Sequence, residues 1–279
     1  MASSKDRGVG STNRWIGLLV GLSFVLAACG GQNVASNPTA TNAAIRWSET
    51  AAPPGVDVPG AQWLKIEGAG GNSKNVQVAA VLRPQGSGAF PLVVWLHGSS
   101  GVFVREVSAA SRLASAGFVV LVGCWTFTPG EAVVTPDGAL PRIPCLQNVA
   151  STDAAIRALV QVGQELSGVR KGAIGLYGVS SGGPEAIGYK DGSTDIGAVV
   201  VDSSAFGPIK ANAPVLVIGG TADTFISVQA QQTYEQTLRN SGGTVESQYF
   251  EGGTHGVASG ALQEAVIKRM SDFYLRYLK

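Results

Sequence analysis

The sequence predicts an α/β fold in which a mostly parallel central sheet is flanked by helices. Short apolar runs, such as those at 91–96 and 214–218, alternate with amphipathic segments along the chain. Continuous apolar runs of this length between helical segments are typical of parallel strands that are covered on both faces. The segments at 150–166 and 260–278 each carry an apolar stripe at helical spacing, so we expect them to pack against the sheet.

The predicted elements follow one another as strands and helices from residue 76 to the C-terminus. Strands are predicted at 76–83, 91–96, 118–122, 173–177, 197–201, 214–218 and 245–250. Helices are predicted at 104–116, at 150–166, from 182 onwards, at 226–240 and at 260–278. This alternation indicates strand-helix-strand units, which build a parallel sheet.

The composition is that of one folded domain of enzyme size. The chain has 279 residues, of which 45% are apolar and 14% charged, and its formal net charge is +1. No block of like charges is present, so we expect neither a nucleic acid nor a strongly charged protein as a partner.

The N-terminus has the features of an export signal. Lys5, Arg7 and Arg14 precede an apolar run that ends in Leu-Ala-Ala-Cys, and the run is too short for a spanning helix. These last four residues resemble the lipobox of bacterial lipoproteins, which predicts a signal peptide at 1–28 and a lipid on Cys29. The alternatives are an ordinary signal peptide or an uncleaved anchor with a buried cysteine, and each of them implies export.

The next segment, 29–59, is rich in Ala, Asn, Thr, Ser and Pro and has little apolar periodicity. Such a composition is typical of a flexible tether between an anchor and a folded domain, which we therefore predict at 60–279. If Cys29 carries lipid, Cys124 and Cys145 can form a disulfide in an oxidising compartment. Two buried free thiols are the alternative, because spacing alone does not show that two cysteines meet.

The stretch GLYGVSSGG at 175–183 contains a candidate nucleophile. Ser180 has glycine at both flanking positions, Gly178 and Gly182, and it follows a predicted strand and precedes a predicted helix. This is the context of a nucleophile elbow, where a sharp turn leaves no room for a Cβ atom two residues before or after the serine. With 38 glycines in the chain, a flexible turn is the alternative.

A serine needs a base, and the chain has two histidines. His255 lies in the loop EGGTHGV after the last predicted strand, and His97 lies in WLHGSSG at the end of an early strand. His255 is the expected base. Asp223 follows the strand PVLVI and gives the order Ser, Asp, His, so it is the expected acid, with Asp202 as the alternative one strand earlier.

From about residue 62 to the end, the chain resembles the α/β-hydrolase superfamily and, within it, the branch similar to dienelactone hydrolases. The resemblance is carried by a strand running into HG-x-x-G, the elbow, and the Asp and His loops. It implies that His97 and Gly98 belong to an oxyanion loop, and that the backbone N–H groups of Ser99 and Ser181 bind the oxyanion. We expect no metal or organic cofactor, because the sequence has no cluster of His and Cys ligands, and its glycine-rich turn lacks the lysine of a phosphate loop and a G-x-G-x-x-G pattern. The chain departs from dienelactone hydrolases proper in having Ser180 where they carry a cysteine.

The long segment 124–145 follows a strand at the same predicted edge as the elbow, and long loops in that place are often functional covers. We expect Trp125, Phe127, Phe103 and Phe225 to form apolar walls of the substrate pocket, the alternative being ordinary core aromatics.

The expected function is hydrolysis of a small-molecule carboxylic ester by a serine esterase. The alternatives are an acyltransferase or a peptidase with the same three residues, or a non-catalytic lipid-anchored binding protein.

Overall fold

A sheet of nine strands forms the centre of the protein. The computed structural model describes residues 44–71, 75–126, 133–135, 138–140, 142–143, 145, 151–189 and 196–279, all within one compact unit that spans 40–279. The strands are Arg46–Thr50 (β1), Gln62–Glu67 (β2), Val76–Leu82 (β3), Phe90–Leu96 (β4), Val119–Gly123 (β5), Val133–Thr135 (β6), Gly138–Leu140 (β7), Val169–Val179 (β8), Ala198–Asp202 (β9), Val215–Gly220 (β10) and Val245–Phe250 (β11).

The strand order of the large sheet is β1-β2-β3-β5-β4-β8-β9-β10-β11. The three pairings from β1 to β5 are antiparallel, and the five pairings from β5 to β11 are parallel. Strands β6 and β7 form a separate antiparallel pair. The prediction of a mostly parallel sheet flanked by helices is confirmed.

Five α-helices pack on the two faces of this sheet: Val104–Ser115 (α1), Thr152–Glu165 (α2), Gly182–Gly188 (α3), Val228–Asn240 (α4) and Gln263–Tyr277 (α5). Helices α1 and α5 cover one face, where they pack with Val93 and Trp95 of β4. Helices α2, α3 and α4 cover the other face, where Leu92 and Val94 of the same strand point. Successive side chains of a strand point to opposite faces, so an entirely apolar strand such as β4 supplies both cores.

The N-terminal boundary of the folded part differs from the prediction. The segment 29–59 was expected to be a tether, but β1 lies within it and pairs along its length with Trp63–Glu67 of β2. The Trp47 indole also donates a 3.0 Å hydrogen bond to Glu165 at the end of α2. The folded part therefore includes residues 46–50. The signal peptide predicted at 1–28 and Cys29 lie outside the described residues. Within the described ranges, no helix combines the length and the apolar composition needed to cross a membrane.

The parallel strands bring the predicted site residues to one edge of the sheet. The carboxyl ends of parallel strands lie at a common edge, where open α/β sheets bind their ligands. His97 follows β4, Ser180 follows β8, and Asp223 lies three residues after β10. His255 lies in the loop after β11, and the end of β9 carries Asp202.

Candidate active site

Ser180 occupies a strained turn directly between β8 and α3. Its φ angle is 53°, which non-glycine residues rarely adopt. A Cβ atom on Gly178 would lie 2.1 Å from the carbonyl oxygen of Gly182, and one on Gly182 would lie 2.5 Å from that of Leu96. Both flanking positions therefore require glycine, and the turn has the geometry expected of a nucleophile elbow.

His255 and Asp223 form a hydrogen-bonded pair at the same edge. The Nδ1 atom of His255 lies 2.8 Å from Oδ2 of Asp223. Because an ionised carboxylate only accepts hydrogen bonds, Nδ1 carries the proton and Nε2 is left free to accept one. The other carboxylate oxygen accepts from the backbone N–H groups of Phe225 and Ile226, at 2.8 and 2.9 Å. These three donors fix the buried carboxylate, and the imidazole stays partly accessible, with 25% of its side chain exposed.

The alternative acid, Asp202, forms no hydrogen bond or ion pair with either histidine in the described structure. Its carboxylate is fully buried and accepts hydrogen bonds from Tyr177, Ser203 and two backbone N–H groups. Burial raises the pKa of Asp202, and these donors partly oppose that effect. The structure thus brings Asp223, and not Asp202, to His255.

Ser180 and His255 line one cavity of about 630 Å³. Among the described residues, no hydrogen bond joins their side chains in this structure. Such bonds are often long without a bound substrate and shorten when one binds. Phe225 packs on the imidazole of His255 at a centroid separation of 5.2 Å and lines the same cavity.

The predicted oxyanion residues lie beside the elbow. A Cβ atom on Gly98 would lie 3.3 Å from Cβ of Ser180, so this loop passes close to the serine. Ser99 lines the cavity, and Ser181 directly precedes α3. Within the described structure, no backbone hydrogen bond uses the N–H group of Ser99 or Ser181. Neither N–H group therefore has a backbone acceptor there, but Ser99 lines the cavity whereas Ser181 is not among its lining residues.

His97 stands behind this loop and is fully buried. Its Nδ1 atom lies 2.6 Å from the carbonyl oxygen of Gly98, and its Nε2 atom accepts from the backbone N–H of Trp125 at 3.4 Å. The Trp125 indole in turn donates to the carbonyl oxygen of His97 at 2.9 Å. Burial lowers the pKa of His97 to about 4, so the ring is neutral at pH 7. This environment suits a structural histidine.

A disulfide joins Cys124 and Cys145, as predicted, with their Cα atoms 5.4 Å apart. The sequence showed no cluster of metal ligands, but the fold places one ligand atom each of His97, Cys124 and Cys145 within 4.8 Å of one another. Both sulfur atoms belong to the disulfide, so neither cysteine can bind a metal ion as a thiolate. The described part of the chain shows no other such group.

The aromatic predictions separate into two groups. Phe103, with 8% of its surface exposed, and Phe225, with 81% exposed, both line the cavity. Trp125 is not among the residues that line this cavity: it is 5% exposed and stacks on His97 with ring centroids 5.2 Å apart, behind the oxyanion loop. Its indole N–H needed a partner, which the His97 carbonyl supplies. Phe127 lies outside the described residues.

Only parts of the predicted cover, 124–145, are described. Its C-terminal part reaches the cavity wall, because Ile143 donates a 2.9 Å backbone hydrogen bond to Val102. The guanidinium of Arg142 lies 5.2 Å from the centroid of the Phe103 ring, and that of Arg105 lies at 5.0 Å. The role of the segment as a cover stays a prediction.

Sequence reasoning missed Glu106, a buried carboxyl that borders the cavity. It accepts a 2.8 Å hydrogen bond from the backbone N–H of Phe103 and so caps the start of α1. Burial raises the pKa of Glu106 to about 7. The position of a glutamate three residues into a predicted helix was the available signal, since it is typical of a capping box.

Solved structures of three α/β-hydrolase proteins superpose on this chain with TM-scores of 0.56 to 0.59. An esterase from Pyrococcus furiosus is 16% identical, with a TM-score of 0.59 over 78% of this chain and 93% of that one. Thermogutta terrifontis esterase 2, phosphoramylated by tabun, is 16% identical, with a TM-score of 0.58 over 81% and 97%. A Klebsiella pneumoniae protein assigned as a dienelactone hydrolase is 18% identical, with a TM-score of 0.56 over 84% and 100%.

The chain belongs to the dienelactone hydrolase family, whose sequence profile matches residues 78–276. A comparison with curated protein sequences found no match.

Proposed function

We propose that the protein is a serine hydrolase that cleaves a carboxylic ester through an acyl-enzyme on Ser180. The observation that carries the proposal is the pairing of His255 with Asp223 in the cavity that Ser180 lines. Family membership supports a hydrolase. Serine in place of the family's cysteine makes a hydroxyl the nucleophile, which needs a strong general base.

In the proposed mechanism, Nε2 of His255 takes the proton of the Ser180 hydroxyl as its oxygen attacks the ester carbonyl. Asp223 holds Nδ1–H and stabilises the imidazolium that forms. The backbone N–H groups of Ser99 and Ser181 bind the oxyanion, and each such donor is typically worth about 10²- to 10³-fold in rate. His255 then gives the proton to the leaving alcohol and later activates a water molecule that releases the acid.

The experiment that tests this proposal is labelling of residues 30–279 with a fluorophosphonate probe, followed by peptide mass spectrometry. The tabun adduct of the Thermogutta esterase supports this choice of reagent, because organophosphorus reagents report on activated serines. We expect an adduct on Ser180 that is absent from a Ser180→Ala variant. In a Ser181→Ala variant the adduct should remain on Ser180, because only the backbone of Ser181 is proposed to act.

A folded protein that takes up no probe would contradict the proposal and favour a non-catalytic binding protein. Active enzyme is then incubated with esters of graded acyl length, with and without added alcohols and amines. Release of free acid as the main product supports hydrolysis, whereas transfer to the acceptors would assign an acyltransferase.

We also propose that the protein is exported and anchored by lipid on Cys29. The disulfide between Cys124 and Cys145 supports this location, because such bonds persist in oxidising compartments. The full chain and a Cys29→Ser variant can be expressed in a bacterium fed with a labelled fatty acid. The proposal expects label on the wild-type chain and none on the variant, and a wild-type chain without label would contradict it.

A further inference from the structure

Two adjacent residues at the carboxyl end of β9, Asp202 and Ser203, are fully buried and take no part in the mechanism above. Ser203 has a φ angle of 51°. Among the described residues, Ser180 and Ser203 are the two non-glycine residues with a positive φ. Such strain persists only where the surroundings require it, and it concentrates at functional sites. The strained backbone at Ser203 therefore indicates that its contacts have a function.

The side chains of this pair bind the segment that follows His255. The hydroxyl oxygen of Ser203 accepts from the N–H of Gly256 at 2.9 Å. The carboxylate of Asp202 accepts from the N–H groups of Val257 and Ala258, at 3.2 and 3.0 Å. These three groups stand at the start of a short 3₁₀ turn, Val257–Ser259, whose first N–H groups have no acceptor within the turn. Every backbone N–H in the three residues after His255 is thus bound by Asp202 or Ser203.

The backbone of the same pair binds the other two strands that lead to the site. The carbonyl oxygen of Asp202 accepts from the N–H of Ser180 at 2.9 Å. The N–H of Ser203 donates to the carbonyl oxygen of Ile218, at 2.9 Å, in the strand that leads to Asp223. Asp202 also accepts a 2.7 Å hydrogen bond from the Tyr177 hydroxyl of the elbow strand. Asp202 and Ser203 are therefore bonded to the elbow, to the acid-bearing strand and to the histidine loop at once.

We propose that Asp202 and Ser203 are positioning residues that fix the distance between the His255 imidazole and the Ser180 hydroxyl. This inference rests on the proposed function of Ser180 and His255. The Ser203 hydroxyl is central, since it donates to Oδ1 of Asp202 at 2.8 Å while it accepts from Gly256. Loss of this hydroxyl frees the residue next to His255, and the imidazole then samples positions from which it reaches the nucleophile less often.

The test compares Ser203→Ala with Ser204→Ala. Ser204 is the next residue and is equally buried, and its hydroxyl has no hydrogen-bond partner among the described residues, so it is a matched control. With a p-nitrophenyl ester, we expect Ser203→Ala to lower kcat by about 10- to 100-fold with KM changed less than about threefold. Ser204→Ala should stay within about twofold of the wild type. Activity is expressed per active site titrated, so that misfolded protein does not count.

A Ser203→Gly variant separates the hydroxyl from the backbone strain. Glycine adopts a positive φ freely but lacks the hydroxyl. We expect Ser203→Gly to lose kcat as Ser203→Ala does. Wild-type kcat in Ser203→Gly, with the loss confined to Ser203→Ala, would overturn the role of the hydroxyl.

A second readout does not depend on activity. The chain has two histidines, so ¹⁵N-histidine NMR gives signals from two imidazoles. In Ser203→Ala we expect the signal of His255 Nδ1–H to broaden or disappear, while it persists in Ser204→Ala. An unchanged His255 signal together with unchanged kcat per active site would overturn the proposal. If the wild type neither hydrolyses esters nor takes up the fluorophosphonate, the proposed function fails, and the NMR comparison still decides whether this pair holds His255.

Discussion

The two sides of the cavity are held in different ways. On one side, the loop of Gly98 and Ser99 is backed by buried His97 and Trp125, and a disulfide lies behind them, with the Cys145 sulfur 4.0 Å from His97. On the other side, Asp223 and His255 stand on loops held by hydrogen bonds and by the core packing of Val257 and Ala258, without a cross-link, and Phe225 is 81% exposed. The Ser99 donor is thus on the disulfide-backed, rigid side, and the proposed base is on the more open side.

The two histidines differ in the group that faces their Nδ1 atom. In His97, Nδ1 faces the backbone carbonyl of Gly98, whereas in His255 it faces the carboxylate of Asp223. A carbonyl fixes the tautomer of a ring but carries no charge to balance an imidazolium, whereas a carboxylate does both. The group on Nδ1, more than the position of the ring at a strand end, distinguishes a structural histidine from a base.

The largest expected effect contrasts these two rings. We expect His255→Ala to lower kcat for a p-nitrophenyl ester by roughly 10⁴-fold or more, because it removes the general base. His97→Gln should cost less than about 10²-fold, since it disturbs only the support of the oxyanion loop. Steady-state kinetics on variants of verified fold measure both. A greater loss in His97→Gln than in His255→Ala would reverse the assignment of the two sides.

Asp223→Asn should lower kcat by about 10³- to 10⁴-fold. An amide N–H₂ in place of Oδ2 would face Nδ1 as a donor and favour the tautomer in which Nε2 is protonated and cannot act as a base. The backbone donors of Phe225 and Ile226 remain satisfied by the amide oxygen, so we expect the fold to persist. The measurement is kcat against pH, with thermal unfolding as the control. Activity within tenfold of the wild type would contradict the role of Asp223.

The pH dependence of the unfolding free energy tests the two buried titratable groups, His97 and Glu106. The folded pKa of His97 is lowered to about 4, so its contribution to stability falls as the pH drops from 6.5 to 4. The folded pKa of Glu106 is raised from 4.5 to about 7, so its contribution is fully present below pH 4.5 and is lost as the pH rises to about 7. Between pH 4.5 and 6.5, His97 therefore makes stability rise with pH, and Glu106 makes it fall.

Single variants should separate the contributions of His97 and Glu106 to the pH dependence of stability. In Glu106→Gln, urea unfolding should show stability rising from pH 4.5 to 6.5 more steeply than in the wild type, by up to about 3 kcal/mol. In His97→Gln, stability should fall over the same range. Identical profiles for the wild type and both variants would show that neither His97 nor Glu106 has a shifted pKa in the folded protein.

Removing the disulfide should affect the rigid side moderately. The Cys124→Ser, Cys145→Ser double variant should lose about 2–3 kcal/mol of unfolding free energy, because a cross-link over 21 residues restricts the unfolded chain. We expect kcat to fall only a few-fold below the melting temperature, since the hydrogen bonds of Trp125 to His97 remain. A loss as large as that of Asp223→Asn would show that the cross-link, and not these bonds, holds the oxyanion loop.

The smallest effect is expected at the exposed wall. Phe225→Ala should raise KM for an aromatic ester a few-fold with little change in kcat, because the ring packs on His255 but is mostly in water. Phe206→Ala is the control, since this phenylalanine is 50% exposed and lies outside the cavity of Ser180. Equal KM values for the two variants would remove Phe225 from the substrate site.

The sequence predicted those parts of the site that depend on local backbone chemistry. The glycines around Ser180 follow from the turn itself, and the meeting of Ser180, Asp223 and His255 follows from strand ends that share one edge. The order of the three residues along the chain was expected from the resemblance to α/β-hydrolases. The hydrogen bonds from the loop after His255 to Asp202 and Ser203 could not be predicted from local sequence. They join residues more than 50 positions apart, as from Ser203 to Gly256. The partner of the Trp125 indole could not be predicted for the same reason, since an aromatic residue after a strand gives no indication of the carbonyl to which its N–H donates.

Strand β1 was missed because its sequence, RWSET, has no apolar alternation and four of its five residues are exposed. Its presence determines where the chain can be shortened. A protein that began at residue 60 would lose β1 and leave unpaired those N–H and C=O groups of 63–67 that face β1, while the opposite edge of β2 stays paired with β3. That strand also carries Leu64 and Ile66, both with 0% exposure. An unpaired apolar edge invites pairing with another copy of the chain. Soluble preparations should therefore begin before Arg46, and aggregation of shorter ones would reflect an uncovered strand, whatever the state of the cavity that Ser180 lines.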